Sequence, residues 1–341
     1  MSHKKIAFSA ARRLLLASTF AVAVGLPVAA SAADVTLLNV SYDVARELYQ
    51  DINPAFEAQF KQTTGKTIQI KQSHGGSSKQ ARSVADGLEA SVVTMNQAND
   101  IDMLADRGLV AKDWAKKFPN NAAPAYSTMV YLVRKGNPKG IKDWTDLAKP
   151  GVKVVIPNPK TAGNGRYTYL AAWGSVLQNG GTDAQARELV TKIFKNVPIL
   201  DTGGRAATTT FTQRQIGDVL VTFENEVQLV RKEFGENFDI VYPASSILAE
   251  SPVAVVDKVV DKRGVRNEAT AYLNFLYSEQ GQEIIAKHYL RPRSAAVAKK
   301  YAATFRPIKL FTVDEVFGGW RAAQKRHFDD GGEFDKIYGG Q

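Results

Sequence analysis

The sequence predicts an α/β protein of two lobes, with mostly parallel sheets and a ligand cleft between the lobes. Three observations lead there. Short apolar runs of strand length alternate with helical stretches along most of the chain, the pattern of helix-covered parallel sheets. Three glycine-rich stretches each follow a strand-like run and open a helical one. At 341 residues the chain can bury one large core or two moderate ones, and two fit domain-size scaling better.

Taken in order, residues 1–33 read as a cleaved secretory signal. A basic region ends at Arg13, an apolar run covers Leu14 to Val28, and Ala30-Ser31-Ala32 offers a small-residue cleavage pattern before Ala33 or Asp34. Gly25 and Pro27 break the apolar run, which is short for a membrane span. The residues after Arg12-Arg13 fit a twin-arginine export motif poorly. Val35 to Val40 is a strand, followed by Ser41-Tyr42-Asp43 and a helix from about Val44 to Thr63, with Pro54 as a candidate break. Ile68 to Lys71 is the second strand, Ser78 to Glu89 a helix, Val92 to Met95 a third strand and Asp100 to Asp106 a helix stopped by Gly108. Pro119 to Tyr126 reads as a crossover between lobes. Beyond it come strands Ser127 to Arg134 and Val152 to Ile156, with a helix opened by Asp143-Trp144 between them. A helix through Tyr169, Ala172 and Leu177, a second over Ala184 to Phe194, a strand Val197 to Leu200 and a helix Thr208 to Gln215 follow. Strands Gly217 to Phe223 and Phe238 to Tyr242 precede a return crossing at Pro252 to Val260. Helices over 268–277, 279–287, 295–301 and 313–327 complete the chain. The expected partition is 1–33 signal, 34–122 first lobe, 123–248 second lobe and 249–341 return to the first lobe with the C-terminal helices.

The three junctions are Gln72-Ser73-His74-Gly75-Gly76-Ser77-Ser78, Thr161-Ala162-Gly163-Asn164-Gly165-Arg166 and Asp201-Thr202-Gly203-Gly204-Arg205. Small residues let a backbone approach a ligand closely. The first-turn N–H groups of a helix lack intrahelical partners and lie at the positive end of its dipole, so each junction is a candidate anion site. One junction alone reads more readily as a capped helix after a turn, because capped helices far outnumber anion sites. Three of them at strand-to-helix positions, one in the first lobe and two in the second, point to a cleft lined by helix N-termini.

Other chemistries are scarce. The formal charge is +10, of which Lys4, Lys5, Arg12 and Arg13 account for four, leaving a scattered +6 with no basic run interleaved with aromatics, so no nucleic-acid partner is expected. There is no cysteine, hence no disulfide and no acylated lipoprotein anchor. His74, His288 and His327 lack partners at metal-ligand spacing, so no metal and no cofactor are expected. Gly-x-Ser-x-Gly is absent. Gly65-Lys66-Thr67 lacks the upstream glycine of a P-loop, and Gly163-Asn164-Gly165 lacks the third glycine of a dinucleotide fingerprint, where Thr168 stands. Glu224 and Glu226 have the spacing of paired carboxylates on one strand face, but they read as a solvated strand end or as ion-pair partners for Arg166 or Arg205, because nothing completes an active site around them.

Five stretches together closely resemble the prokaryotic sulfate-binding protein family: Leu37-Leu38-Asn39-Val40-Ser41-Tyr42-Asp43, Gln72-Ser73-His74-Gly75-Gly76-Ser77, Asn158-Pro159-Lys160, Tyr169-Leu170-Ala171-Ala172-Trp173-Gly174 and Phe317-Gly318-Gly319-Trp320. The resemblance covers essentially residues 34–338. It implies a two-lobed periplasmic-binding-protein fold of type II, with a hinge, and a dehydrated dianion held by neutral donors in a closed cleft. It implies that the Ser77 hydroxyl and the Gly163 and Gly204 N–H groups donate to the anion, and that Asp43 orients the cleft loops. This sequence departs from the family pattern at three places. Ala162 replaces a serine hydroxyl, Asn164 replaces a second glycine, and Phe223 replaces a tryptophan that would offer an indole N–H. Thr161, Asn164, Thr208-Thr209-Thr210 and Phe223 are more similar to the thiosulfate-binding branch, whose ligand carries a terminal sulfur that tolerates an apolar wall.

The expected function is therefore that of a non-enzymatic, monomeric periplasmic receptor for sulfate or thiosulfate that delivers its anion to an inner-membrane ABC permease. The rival readings are a receptor for another tetrahedral oxyanion such as molybdate, a secreted hydrolase on the same scaffold, and a basic secreted protein that binds polyanions.

Overall fold

A computed structural model describes residues 33–339. The expected signal segment and its cleavage site lie outside the described residues, apart from Ala33.

The first sheet is built by β1 (Val35–Tyr42), β2 (Ile68–Gly75) and β3 (Val92–Thr94), with β1 central and parallel to both neighbours. Leu37 and Val40 of β1 are fully buried, which is why this strand reads as an apolar run rather than a half-wet alternation. Between β1 and β2 runs α1 (Arg46–Thr64), whose Leu48, Tyr49, Ile52, Phe56 and Phe60 recur at helical spacing and face the sheet. Pro54 does not break it: the proline lies inside the helix on the exposed face, and the helix ends only at Gly65, in a left-handed conformation at φ 74°. The next helices are α2 (Ser77–Ala85) and α3 (Ala98–Asp106).

The chain then crosses through a four-residue turn, α4 (Pro119–Ala122), and a short strand, β4 (Ala125–Ser127). The second sheet holds β5 (Met129–Arg134), β6 (Val154–Pro157), β7 (Leu200–Asp201), β8 (Val219–Phe223) and β9 (Phe238–Val241) in the order β7-β6-β8-β5-β9. Its helices are α5 (Gly163–Gln178), α6 (Asp183–Lys195), α7 (Gly204–Thr212) and α8 (Glu224–Phe234). Both faces of this sheet are covered. Met129, Tyr131 and Val133 of β5 join the main core, while Val130 and Leu132 point the other way into a cluster with Ala207, Phe211 and Val227. Helix α5 is buried all round from Gly163 to Ser175, so it forms the centre of its lobe rather than an amphipathic cover.

After β10 (Ser245–Ile247), β11 (Ala249–Glu250) pairs with β4, and β12 (Val253–Val255) joins the first sheet antiparallel to β3. In each sheet one strand runs against the rest: β12 in the first, β5 in the second. Helices α9 (Asp257–Arg263), α10 (Arg266–Phe275), α11 (Glu279–Lys287) and α12 (Ala295–Lys300) follow, with β13 (Arg291–Pro292) on the other edge of β4. The last strand, β14 (Lys309–Phe311), pairs with β10, and Phe311 closes against Gly174 of α5.

Several expected elements differ. The stretch opened by Asp143 is a 3-10 turn, Trp144–Ala148, held by a capping box with Asp146. The Val197 to Leu200 strand shrinks to two residues, β7, and α7 begins at Gly204 rather than Thr208. Glu224 and Glu226 lie in the first turn of α8 and not on a strand, and residues two apart on a helix do not share a face. The C-terminal helix expected over 313–327 is broken into α13 (Val313–Phe317) and α14 (Trp320–Ala323) because Gly318 and Gly319 take φ of 72° and 96°. The chain ends in α15 (Glu333–Tyr338).

Candidate functional site

Helices α2, α5 and α7 start at the carboxyl ends of β2, β6 and β7, where open α/β sheets place ligands. Their N-cap residues are Gly76, Ala162 and Gly203, and none gives a side-chain cap. None of the three carries an acid in its first turn, whereas α1, α3, α6 and α8 all do. None of the three dipoles thus draws a counter-charge from its own first turn; at α7 a carboxylate from another element, Asp43, stands beside it.

The three starts meet. A methyl group on Gly76 would stand 2.9 Å from the Thr161 carbonyl oxygen and 3.6 Å from that of Thr202, so the first junction touches the other two through backbone. The Thr161 hydroxyl donates to the Thr202 carbonyl at 3.0 Å. A Cβ on Gly204 would lie 3.2 Å from Val44 and 3.3 Å from the Asn164 amide nitrogen. Ala162, Gly163, Asn164 and Gly204 are all buried.

Each residue named from the sequence lies in or beside this meeting point. Ser77 is the first residue of α2, not its cap. Its hydroxyl donates to Asp100 Oδ2 at 2.6 Å and accepts from the Asn96 N–H at 3.3 Å. A hydroxyl has one proton, so the structure differs here from the expected donation to a ligand: the buried Asp100 carboxylate takes that proton, and the backbone N–H is what remains to offer. Asp43 sits at the end of β1. Its Oδ1 accepts from the Val44 N–H at 3.0 Å, and its Oδ2 from the Arg205 N–H at 3.3 Å, so a carboxylate of the first lobe caps a helix of the second. Burial raises its pKa, partly offset by these bonds and by the Arg205 charge. Asn164 donates from Nδ2 to Thr222 Oγ1 at 2.8 Å, while its Oδ1 is buried without a partner. Phe223 is buried, edge-on to Tyr167 at 5.9 Å between ring centres, and Tyr167 stands edge-on to Trp320 at 5.0 Å. It lines a cavity of about 10 Å³ with Tyr42, Asn96 and Ser251. A larger cavity, about 630 Å³, lies elsewhere, between the Trp144–Ala148 turn, α5 and α6, and holds none of the three junctions.

The nearby cations are engaged. Arg166 is buried, with Nε donating to the Pro159 carbonyl at 2.9 Å and Nη1 3.7 Å from Asp100 Oδ1. Arg205 Nη2 donates to both oxygens of Glu47 at 2.9 and 2.8 Å, and its Nε is 3.8 Å from Glu226 Oε1. Glu226, buried, accepts from Thr208 Oγ1 at 3.1 Å, and its pKa is raised to about 7 by burial against the opposing pull of Arg205. Glu224 is held by Arg291 and by the Tyr242 hydroxyl. Both glutamates are buried on a helix, so neither is a solvated strand end, and the expected pairing with Arg166 or Arg205 holds only for Glu226. No cluster of metal-ligating side chains occurs among the described residues, and His74 bonds locally to the Tyr42 carbonyl at 3.1 Å.

Sequence reasoning missed Asn96, Asp100, Thr222 and Glu47. Asn96 stands two residues past the end of β3, beyond the carboxyl end of a parallel strand, and that position was the available signal.

Residues 37–291 match the family described as bacterial extracellular solute-binding protein. A thiosulfate-binding protein of Pseudomonas aeruginosa is 60% identical over 329 residues, covering 96% of this chain and 99% of the relative. A sulfate-binding protein of Escherichia coli is 56% identical over 308 residues, covering 90% and 94%. Among solved structures, the sulfate-binding protein SubI from Mycobacterium tuberculosis superposes with a TM-score of 0.79 at 33% identity, covering 86% of this chain and all of that one. With the three-junction site in a two-lobed α/β fold, these likenesses give the affiliation: the chain belongs to the sulfate- and thiosulfate-binding receptors among the bacterial extracellular solute-binding proteins.

Proposed function

We propose that this protein is a periplasmic receptor that captures sulfate or thiosulfate where α2, α5 and α7 begin, and delivers it to an inner-membrane ABC permease. The observation that carries this reading is the meeting of three helix starts that have neither a cap from their own N-cap side chain nor an acid in their own first turn, with the neighbouring arginines tied to Asp100, Glu47 and Glu226. The backbone N–H groups of Ser77, Gly163, Asn164 and Gly204 supply the donors. Phe223 supplies an apolar wall beside the position of Ala162, which offers no hydroxyl. Asp43 holds α7 in register with the first lobe. Neutral dipoles preorganised in a dry site are strong because the local dielectric is low, and they need no cation in contact with the anion. A site of donors alone disfavours hydrogen phosphate, whose O–H finds no acceptor.

The lobes, 34–122 and 123–248 with the return at 249–341, close by hinge motion about the crossing strands β4, β11 and β13. The stretch from β14 to α15 packs on both sides, α13 against α5 and α15 against α6, and α14 against α3, where Arg321 pairs with Asp102 and Asp106. The protein acts as a monomer, after removal of an export signal, without catalysis, cofactor or nucleic acid. The kinship with binding proteins supports the non-catalytic reading. No described helix is long and apolar enough to cross a membrane.

Calorimetric titration of ligand-stripped mature protein with sulfate and thiosulfate, with phosphate as control, tests the reading. Saturable binding of either sulfur anion with none of phosphate is the expected result. Binding of neither sulfur anion would sink it.

A further inference from the structure

Asn96 belongs to the first lobe and follows β3. It is 5% exposed, and its Oδ1 has no hydrogen-bond partner. The side chain lies against the start of α5 in the second lobe: a Cβ on Gly163 would stand 2.1 Å from Asn96 Oδ1, 2.8 Å from Cγ and 3.0 Å from Nδ2. Only glycine leaves that space, so the missing side chain at 163 makes room for a carboxamide as well as for close backbone approach. The Asn96 N–H donates to Ser77 Oγ, which ties the same residue to the start of α2. The side chain also borders the small cavity beside Phe223. Asn96 thus touches two of the three helix starts, α2 through its backbone N–H and α5 through its carboxamide, and borders the cavity beside the apolar wall.

A carboxamide carries two donors and an acceptor at nearly the same shape, so a half-turn about Cβ–Cγ exchanges oxygen for nitrogen. Beside the first turn of α5, where unpartnered N–H groups draw an anion, the nitrogen is the matching group. We infer that Asn96 is a ligand-binding residue: its Nδ2 donates to the anion held at α5 and replaces the hydroxyl absent at Ala162. The inference rests on the anion-receptor reading above. Because Asn96 and Gly163 come from different lobes, this bond forms only when the lobes meet, and it links occupancy to closure.

The test is calorimetric titration with thiosulfate and with sulfate, with thermal melting to verify the fold. The variants are Asn96→Ala, Asn96→Leu, which keeps the volume without hydrogen-bonding groups, and Asn96→Ala with Ala162→Ser. Both single variants are expected to weaken the better-bound anion by roughly tenfold, the loss of one hydrogen bond to a charged group, and Ala162→Ser is expected to recover most of it. Single variants that bind within about twofold of the parent overturn the inference while leaving the receptor reading intact. A parent that binds neither anion overturns both.

Discussion

Asp100 of the first lobe and Arg166 of the second face each other at 3.7 Å with side chains 3% and 7% exposed, and the Ser77 hydroxyl completes the aspartate's shell at 2.6 Å. The pair lies directly behind the starts of α2 and α5. Breaking such a buried pair from one side leaves an uncompensated charge, at a cost of about 3–5 kcal/mol. Asp100→Ala should therefore lower the melting temperature strongly, as read by calorimetry. Asp100→Asn, which keeps an acceptor for Ser77 and loses only the charge, should cost less.

Gly76 and Gly204 make opposite predictions. A methyl on Gly76 would meet a backbone oxygen of the other lobe at 2.9 Å, and backbone has little room to yield. A methyl on Gly204 would meet side-chain atoms at 3.2 and 3.3 Å, which can move by a few tenths of an ångström. Gly76→Ala should weaken anion affinity by roughly tenfold or more, about 1.4 kcal/mol, without unfolding the protein. Gly204→Ala should bind within about threefold of the parent. Titration of the two variants side by side checks both.

On the proposed function, Phe223 is the residue expected to bias the choice between the two sulfur anions. Phe223→Trp brings an indole donor to the wall and should shift the ratio of affinities toward sulfate. The small cavity beside it gives little space, so the same variant should lose about 1–3 kcal/mol of stability from overpacking. Competition between sulfate and thiosulfate reads the first effect and denaturant unfolding the second. An unchanged ratio would remove Phe223 from the selectivity account.

Two buried groups bend the pH–stability curve in opposite senses. Glu226 has a folded pKa raised to about 7 from 4.5, so the folded state holds its proton more tightly. Its stabilising contribution is present below about pH 4.5 and is lost as pH rises through 7, roughly 3 kcal/mol in all. His327, buried among Tyr169, Trp173, Phe317 and Phe328, has its pKa lowered from 6.5 to about 4 by burial. The unfolded state binds that proton more readily, so stability falls as pH drops from 6.5 toward 4. The two windows, 4.5 to 7 and 4 to 6.5, overlap, so in the parent the two slopes largely offset each other and the variants separate them. In denaturant unfolding from pH 4 to 8.5, Glu226→Gln should leave a stability that rises with pH up to about 6.5, and His327→Gln one that falls between about 4.5 and 7.

Most of the strand and helix order and the three strand-to-helix junctions were legible because apolar runs and glycine clusters report backbone demands directly. What stayed hidden depends on partners distant in sequence. Nothing near Ser77 announces that Asp100 will claim its proton, and nothing near Asn96 announces Gly163. The start of α7 at Gly204 was placed four residues late because glycine and a following arginine are poor local evidence for a helix; Asp43, from the other lobe, caps it. Pro54 misled for the opposite reason: on the exposed face of α1 its tertiary cost is small. At Gly318-Gly319 the turn signal was present but was overridden by the apolar pattern on either side.

The reversed strands carry a consequence for how the chain acquires its structure. Strand β12, which completes the first sheet, pairs Ala254 with Val93, and β14 pairs with β10 only after the helices α9 to α12 have been laid down. Until residues near 255 exist, β3 is an unpaired edge, and closing loops of that length slows folding and prolongs exposure of sticky backbone. A nascent chain of this topology stays loose until it is nearly complete, which suits translocation as an extended thread, and a fragment ending before β12 should be held by chaperones rather than fold.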